Sequence, residues 1–196
     1  MRYILGADPG KAGAIALLNA DANPSDIKVS DLITIPTKVA NGKIDAVRIM
    51  QNLKPYAKDI MMAIQENVHA IFGSSAKGSF EFGDANGALR TAIELTLLSV
   101  GNEQIVHVVP PKTWQNVAWA GFTPIAEPIL DKTTKQPKLL KSGAARVKVD
   151  TKATSSMVAH SRFPGYSFVE PRHKNENDGC IDAALIAFYG LRKFSR

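Results

Sequence analysis

The residues of this chain that could do chemistry are acids. Asp8 lies inside GADPGKAG, Glu66 ends the apolar run IMMAIQE, and Asp178 and Asp182 open the stretch NDGCIDAALIAFYG. The last two are four residues apart, about 40° around a helix of roughly 3.6 residues per turn, so they share a face. Asp182 lies beside Ile181 and Leu185, on the side expected to pack against a sheet, where a carboxylate is costly unless a cation compensates it. A metal would supply that charge. Four hard oxygen donors without His or Cys fit Mg2+ or Mn2+ far better than zinc. Two such ions about 3.5–4 Å apart can activate a water and stabilise the leaving oxygen of an in-line phosphodiester cleavage. Each acid also has a plain structural use: Asp8 can begin a turn, Asp178 can cap a helix, and Glu66 can sit exposed beyond a strand.

GADPGKAG is not a phosphate cradle. A P-loop needs four residues between its glycines and a hydroxyl after the lysine, whereas Gly6 and Gly10 are separated by three residues and Lys11 precedes Ala12. A dinucleotide turn also needs a helix after it, and the run Ala14-Ile15-Ala16-Leu17-Leu18 reads as a second strand. The turn therefore serves as a mount for Asp8, with glycines that let a nucleic-acid backbone come close.

The elements that must position these acids follow from apolar periodicity. Leu32-Ile33-Thr34-Ile35 reads as a third strand stopped by Pro36, and Ile44 to Tyr56 as an amphipathic helix. Residues 60–66 suit a strand buried on both faces. Ala85 to Val100 read as a helix, Gln104 to Val109 as a strand halted by Pro110-Pro111, and Trp114 to Trp119 as a short helix. Helices resume over Asp150 to His160 and Asp178 to Phe194, with a loop or partly disordered stretch expected from Phe122 to about Val149. This order predicts a layered α/β domain with a mixed sheet. If the first strand and the strand at 60–66 run side by side and parallel, Asp8 and Glu66 emerge at one sheet edge.

At 196 residues the chain suits a single domain, 1–196. Its one cysteine, Cys180, excludes an internal disulfide and a cysteine-built zinc site. No stretch approaches the roughly 20 apolar residues of a membrane helix and no secretory signal is evident, so a soluble, cytoplasmic protein is expected. The formal charge is +6, and most of the excess lies in one segment, where Lys132, Lys135, Lys138, Lys141, Arg146, Lys148 and Lys152 face Asp131 and Asp150. Such a run can be a solvated basic loop; a phosphate-cleaving site elsewhere turns it toward nucleic acid.

The acids in this order, with ILGADPGKAGAIAL, AIQE, VVPPKTWQ, DTKATSSMVAHSRFP and NDGCIDAALIAFYG, make the chain resemble the RuvC family of Holliday junction resolvases over most of its length. The closing Asp-Gly-x-x-Asp-Ala is similar to phage-type members, whereas bacterial members more often space the final acids by three. The resemblance implies a ribonuclease H-like α/β fold, with a mixed five-stranded sheet and helices on both faces, and a basic insertion at about 122–149. It implies a homodimeric, metal-dependent endodeoxyribonuclease that resolves four-way junctions by paired symmetric nicks, in a bacterial or phage-infected host cell. Asp8 would bridge two Mg2+ ions, for which Mn2+ substitutes, with Glu66, Asp178 and Asp182 completing their shells. Lys152, in the DTK piece, would contact the scissile phosphate or else be an ordinary exposed helix lysine. NVHAIFGSSAKGSFEFG corresponds to the family's junction-probing loop and offers Phe72 as a base-stacking wedge, with Phe80 and Phe82 as alternatives. Lys112, in VVPPKTWQ, joins the lysines and arginine of the basic segment as an expected DNA contact. Glu176, two residues before Asp178, would point away from the acidic face.

Four other readings share these features. A flap or fork endonuclease, or a ribonuclease H acting on RNA-DNA hybrids, would use the same acids, and substrate choice is not written in them. A module that only binds branched DNA would be expected to have lost an acid. An actin-like or sugar-kinase domain begins similarly but needs a second half and greater length.

Overall fold

The structure, a computed structural model, describes residues 1–10, 12–37, 39–40, 43–67, 75–131 and 133–194. The first three apolar runs pair as an antiparallel meander: β1 (Tyr3–Asp8), β2 (Ala14–Asn19) and β3 (Leu32–Pro36), with Asp8 opposite Ala14 and Leu18 opposite Leu32. A short antiparallel pair that the sequence did not announce, β4 (Val39–Ala40) with β5 (Lys43–Ile44), precedes helix α1 (Ala46–Leu53). The Asp45 carboxylate caps α1 by accepting from the Arg48 N–H at 3.0 Å. The next strand, β6 (Ile60–Glu66), runs parallel to β1, and β7 (Val106–Val109) runs parallel to β6. The sheet order is β3-β2-β1-β6-β7. It is the mixed five-stranded sheet expected.

Strand alternation sorts the side chains onto two faces. Leu5, Ala7, Ile15 and Leu17 pack on one side with α1 and the long helix α2 (Ala76–Leu98), which contributes Leu89, Ile93 and Leu97. Ile4, Ala16, Leu18 and Ile64 point to the other side. That side is covered by α3 (Pro111–Ala118), α4 (Thr151–Arg162) and α5 (Asp178–Phe194). Helix α2 begins nine residues before the expected Ala85, with Ser75 as its cap, its hydroxyl accepting from the Gly78 N–H at 3.1 Å. Its three internal glycines hide that start from propensity alone. Helix α3 starts earlier as well, since Pro111 at its first turn lacks only an N–H that would have gone unbonded.

Helix α5 lies almost on the backbone of β1. A Cβ added at Gly6 would stand 2.2 Å from the Ala183 carbonyl oxygen and 2.4 Å from the Ala187 nitrogen. One added at Gly179 would stand 1.9 Å from the Ala12 carbonyl oxygen. Glycine at these two positions lets the helix start directly over the turn that carries Asp8.

The basic segment is not a loop or a disordered stretch. It is a β-built arm in which β8 (Ala126–Pro128) pairs antiparallel with β9 (Val147–Val149). Beyond them Leu130 pairs with Pro137 and Leu139 with Ala145. Every one of these pairs except Glu127 with Lys148 is apolar against apolar, and the residues are exposed, Leu139 by 65% and Val147 by 57%. The short alternation of apolar residues with lysines and prolines conceals this pattern in the sequence. Among the described residues no helix is long and apolar enough to cross a membrane.

Candidate active site

The parallel pairing of β1 with β6 puts Ala7 beside Gln65, so the residues that follow, Asp8 and Glu66, leave the sheet next to each other at its C-terminal edge. Asp8 is held by its own turn: its Oδ1 accepts from the Gly10 N–H at 3.1 Å, and the Gly13 N–H closes the turn onto the Gly10 carbonyl at 2.8 Å. Glu66 is held from outside its strand, by the Trp114 indole N–H donating to its Oε1 at 3.1 Å.

Helix α5 brings the other two acids. Its cap is Asn177, whose Oδ1 accepts from the N–H groups of Gly179 at 2.8 Å and Cys180 at 3.2 Å. Asp178 is therefore the first helical residue and not the cap, and its Oδ2 accepts from the Lys152 ammonium at 2.6 Å. Asp182, one turn on, is half-buried, and the Ser155 hydroxyl on α4 donates to it. Its Oδ1 is buried without a hydrogen-bond partner among the described residues. Glu176 turns elsewhere, as expected, accepting from the Ser156 hydroxyl at 3.1 Å and lying 2.6 Å from the His160 Nε2 on the flank of α4.

The protonation of these groups reports their crowding. Burial first, then the Glu66 charge, push the Asp8 carboxyl up to about 7, against the opposing pull of the Gly10 N–H. Burial and then Asp8 push Asp182 up to about 8, with the Ser155 hydrogen bond opposing. Glu66 is raised by burial and drawn back by the indole N–H. Asp178 adds to the field on both Asp8 and Asp182, so four carboxylates from β1, β6 and α5 share one electrostatic environment. As they stand, no three His, Cys, Asp or Glu side chains among the described residues meet closely enough to enclose an ion. The donor set is all oxygen, however, and the orphaned Asp182 Oδ1 is a buried acceptor that a hard cation would satisfy.

The remaining expected site residues fall into three groups. Phe72 and Lys132 lie outside the described residues. Lys112 is exposed in the first turn of α3, immediately after β7, at the same sheet edge as Glu66, which pairs with Val109. Lys135, Lys138, Lys141, Arg146 and Lys148 are exposed on the arm, where Lys148 pairs with Glu127 at 2.8 Å and Lys138 lies 3.9 Å from Asp131. Phe80 and Phe82 do not belong to a loop: both are on α2, Phe80 79% exposed and Phe82 half-buried.

Sequence reasoning assigned no role to Trp114 or Ser155. A signal for each existed. A buried indole N–H usually finds an acceptor, and Ser155 stands three residues after Lys152, on the helix face that meets the acids.

No family model matches the chain, and no curated protein matches it in sequence. Solved structures do. The structure of Thermus thermophilus RuvC superimposes with a TM-score of 0.51 at 14% identity, covering 97% of this chain and 95% of that one. The T. thermophilus RuvC in complex with a Holliday junction substrate gives a TM-score of 0.54 at 14% identity, covering 96% and 92%. At that identity the likeness is one of fold, and with the sheet order and the helices on both faces it shows that the chain has a RuvC-like, ribonuclease H-like α/β fold.

Proposed function

We propose that this chain is a metal-dependent endonuclease that cuts branched DNA, with four-way junctions as its substrate and a homodimer as its working form. The observation that carries the reading is the gathering of Asp8, Glu66, Asp178 and Asp182 from three separated elements into one field at the sheet edge. Their positions on a RuvC-like fold support it, and the choice of branched DNA draws on the neighbour solved with a Holliday junction.

Asp8, Glu66 and Asp182, with Asp178 at the rim, would hold Mg2+ or Mn2+. When bound, such ions make a water acidic enough to attack and offset the charge that develops on a phosphodiester. The chain's own part is placement. The Gly10 N–H fixes Asp8, the indole N–H fixes Glu66, and Ser155 fixes Asp182. Lys152, exposed and at present tied to Asp178, is a cation within reach of a phosphate brought to this edge. The arm is rooted beside it: the Asp150 N–H donates to the Ile125 carbonyl at 2.8 Å, and the Ile125 N–H to the Thr154 hydroxyl at 3.0 Å. Duplex held by Lys135, Lys138, Lys141, Arg146 and Lys148 would thus be led toward α4 and the acids, with Lys112 at the same edge. Phe72 remains the proposed wedge. A twofold substrate is best met by a twofold protein, which puts two identical sites on opposed strands.

Incubation of the protein with labelled four-way junction, replication fork and RNA-DNA hybrid, with and without Mg2+, tests this directly. Mg2+-dependent cutting of the junction is expected to exceed the other two. Preference for the hybrid would make the chain a ribonuclease H, and binding without cutting would make it a recognition module.

A further inference from the structure

We propose that Trp114 is a positioning residue for Glu66, fixing one carboxylate oxygen so that the other is presented to a cation; this rests on the metal-dependent reading above. Trp114 is 1% exposed, on a helix 48 residues from Glu66 in sequence. The contact is set by the backbone. Glu66 pairs with Val109 across β6 and β7, the Asn67 N–H continues the pairing to the Val109 carbonyl at 2.6 Å, and α3 starts at Pro111. Trp114 therefore arrives about one helical turn past the end of the sheet, level with the Glu66 side chain.

The chemistry of the indole suits the task. It is a donor without an acceptor, so it can hold a carboxylate oxygen and cannot itself compete for a metal. Buried indoles usually find an acceptor, but the Trp119 N–H is buried without one among the described residues, so packing alone does not dictate the contact made by Trp114. Here the partner is a carboxylate that ends β6, beside the strand that carries Asp8, in contact with Nε1 at 3.1 Å through Oε1. That leaves Oε2 free of this contact. A glutamate has three rotatable bonds, and without the indole it would sample other rotamers. The ring itself is fixed from behind by Trp119, edge to face at 6.3 Å between centroids.

Outer-shell partners of metal ligands typically account for about 10–100-fold in metal affinity or activity. Trp114→Phe keeps the ring and removes the N–H. It is expected to weaken Mn2+ binding, followed by the resonance of free Mn2+, by about 10–100-fold, and to lower kcat on a four-way junction by a similar factor with KM unchanged. Thermal melting establishes that the variant is folded. A second measurement does not depend on that variant. The chain has two tryptophans, so two indole N–H signals appear in a 15N-1H spectrum and Trp119→Phe assigns them. The Trp114 signal should move in Glu66→Gln and on addition of Mg2+ to the wild type, while that of Trp119 stays. A folded Trp114→Phe that binds Mn2+ within about twofold of wild type, or a Trp114 signal indifferent to Glu66→Gln, overturns the proposal. Failure of the underlying metal reading shows separately, as a wild-type protein that binds no Mn2+ at all, and it overturns the positioning role with it.

Discussion

The sheet edge that carries Asp8 and Glu66 and the arm from Ile125 to Val149 are both dense in charge, and they are built in opposite ways. At the edge, backbones approach so closely that Gly6 and Gly179 have no room for a Cβ, and Asp8, Glu66 and Asp182 are half-buried, shifted toward neutrality and each held by a specific donor. On the arm the charges are exposed and their partners are other surface side chains, such as Glu127 for Lys148. Charge fixed by packing can define a reaction geometry, whereas charge on an exposed ribbon acts through its field and can be rearranged at little cost. Substitutions should therefore fail locally and steeply at the edge, and gradually and additively on the arm.

The largest effect belongs to the acids. Asp8→Asn and Asp182→Asn should each lower Mg2+-dependent cleavage by more than the roughly 100-fold that an outer-shell partner costs, with junction binding retained in a gel-shift assay. Glu176→Gln, which touches Ser156 and His160, should stay within a few-fold of wild type. The reverse order would move the site along the chain.

Next come the glycines. Gly6→Ala forces a methyl against the Ala183 and Ala187 backbone, which cannot rotate away, and should cost about 1–3 kcal/mol or more in denaturant unfolding. Gly83→Ala on α2, where an added Cβ meets nothing within 4 Å among the described residues, should instead stabilise by about 0.5–1 kcal/mol. Equal effects at the two sites would erase the contrast between tight and open regions.

These two regions were also unequally legible in the sequence. The pairing of β1 with β6 and the face of α5 could be read, because continuous apolar runs ending in an acid and a helix rich in Ala and Gly leave few other arrangements. The arm could not, since its pairs are short and its apolar residues alternate with lysines and prolines in the manner of a loop. The links from Trp114 to Glu66 and from Ser155 to Asp182 were hidden for another reason. Each joins residues dozens of positions apart, and their meeting is decided by how α3 and α4 lie over the sheet.

A smaller effect is the pH dependence of stability in EDTA. Asp8 at about 7 and Asp182 at about 8 lie above their ordinary carboxylate value of 3.8, so the folded state holds these protons more tightly than the unfolded one. Their contribution is fully present below that ordinary value and is lost as pH rises through 7 to 8. The Tm should fall from about pH 4 to about pH 8, level off above that and recover on adding Mg2+, and Asp182→Asn should flatten the fall. A Tm that rises with pH from 6 to 9 would contradict the crowding of these acids.

The smallest effect is expected from the arm. Neutralising Lys135, Lys138 and Lys141 together should leave Tm unchanged and reduce the slope of log affinity against log salt by roughly 0.9 for each DNA phosphate that the arm no longer neutralises. An unchanged slope would return the arm to a solvated surface feature.

The central claim, two carboxylate-lined sites acting together on a junction, is tested most directly on a supercoiled plasmid that extrudes a cruciform. With Mg2+ the wild type should linearise it by paired nicks at symmetry-related positions, while Asp8→Asn binds it and leaves it supercoiled. Accumulation of open circle by a protein that sediments as a monomer, or cleavage by Asp8→Asn at the wild-type rate, would contradict the account.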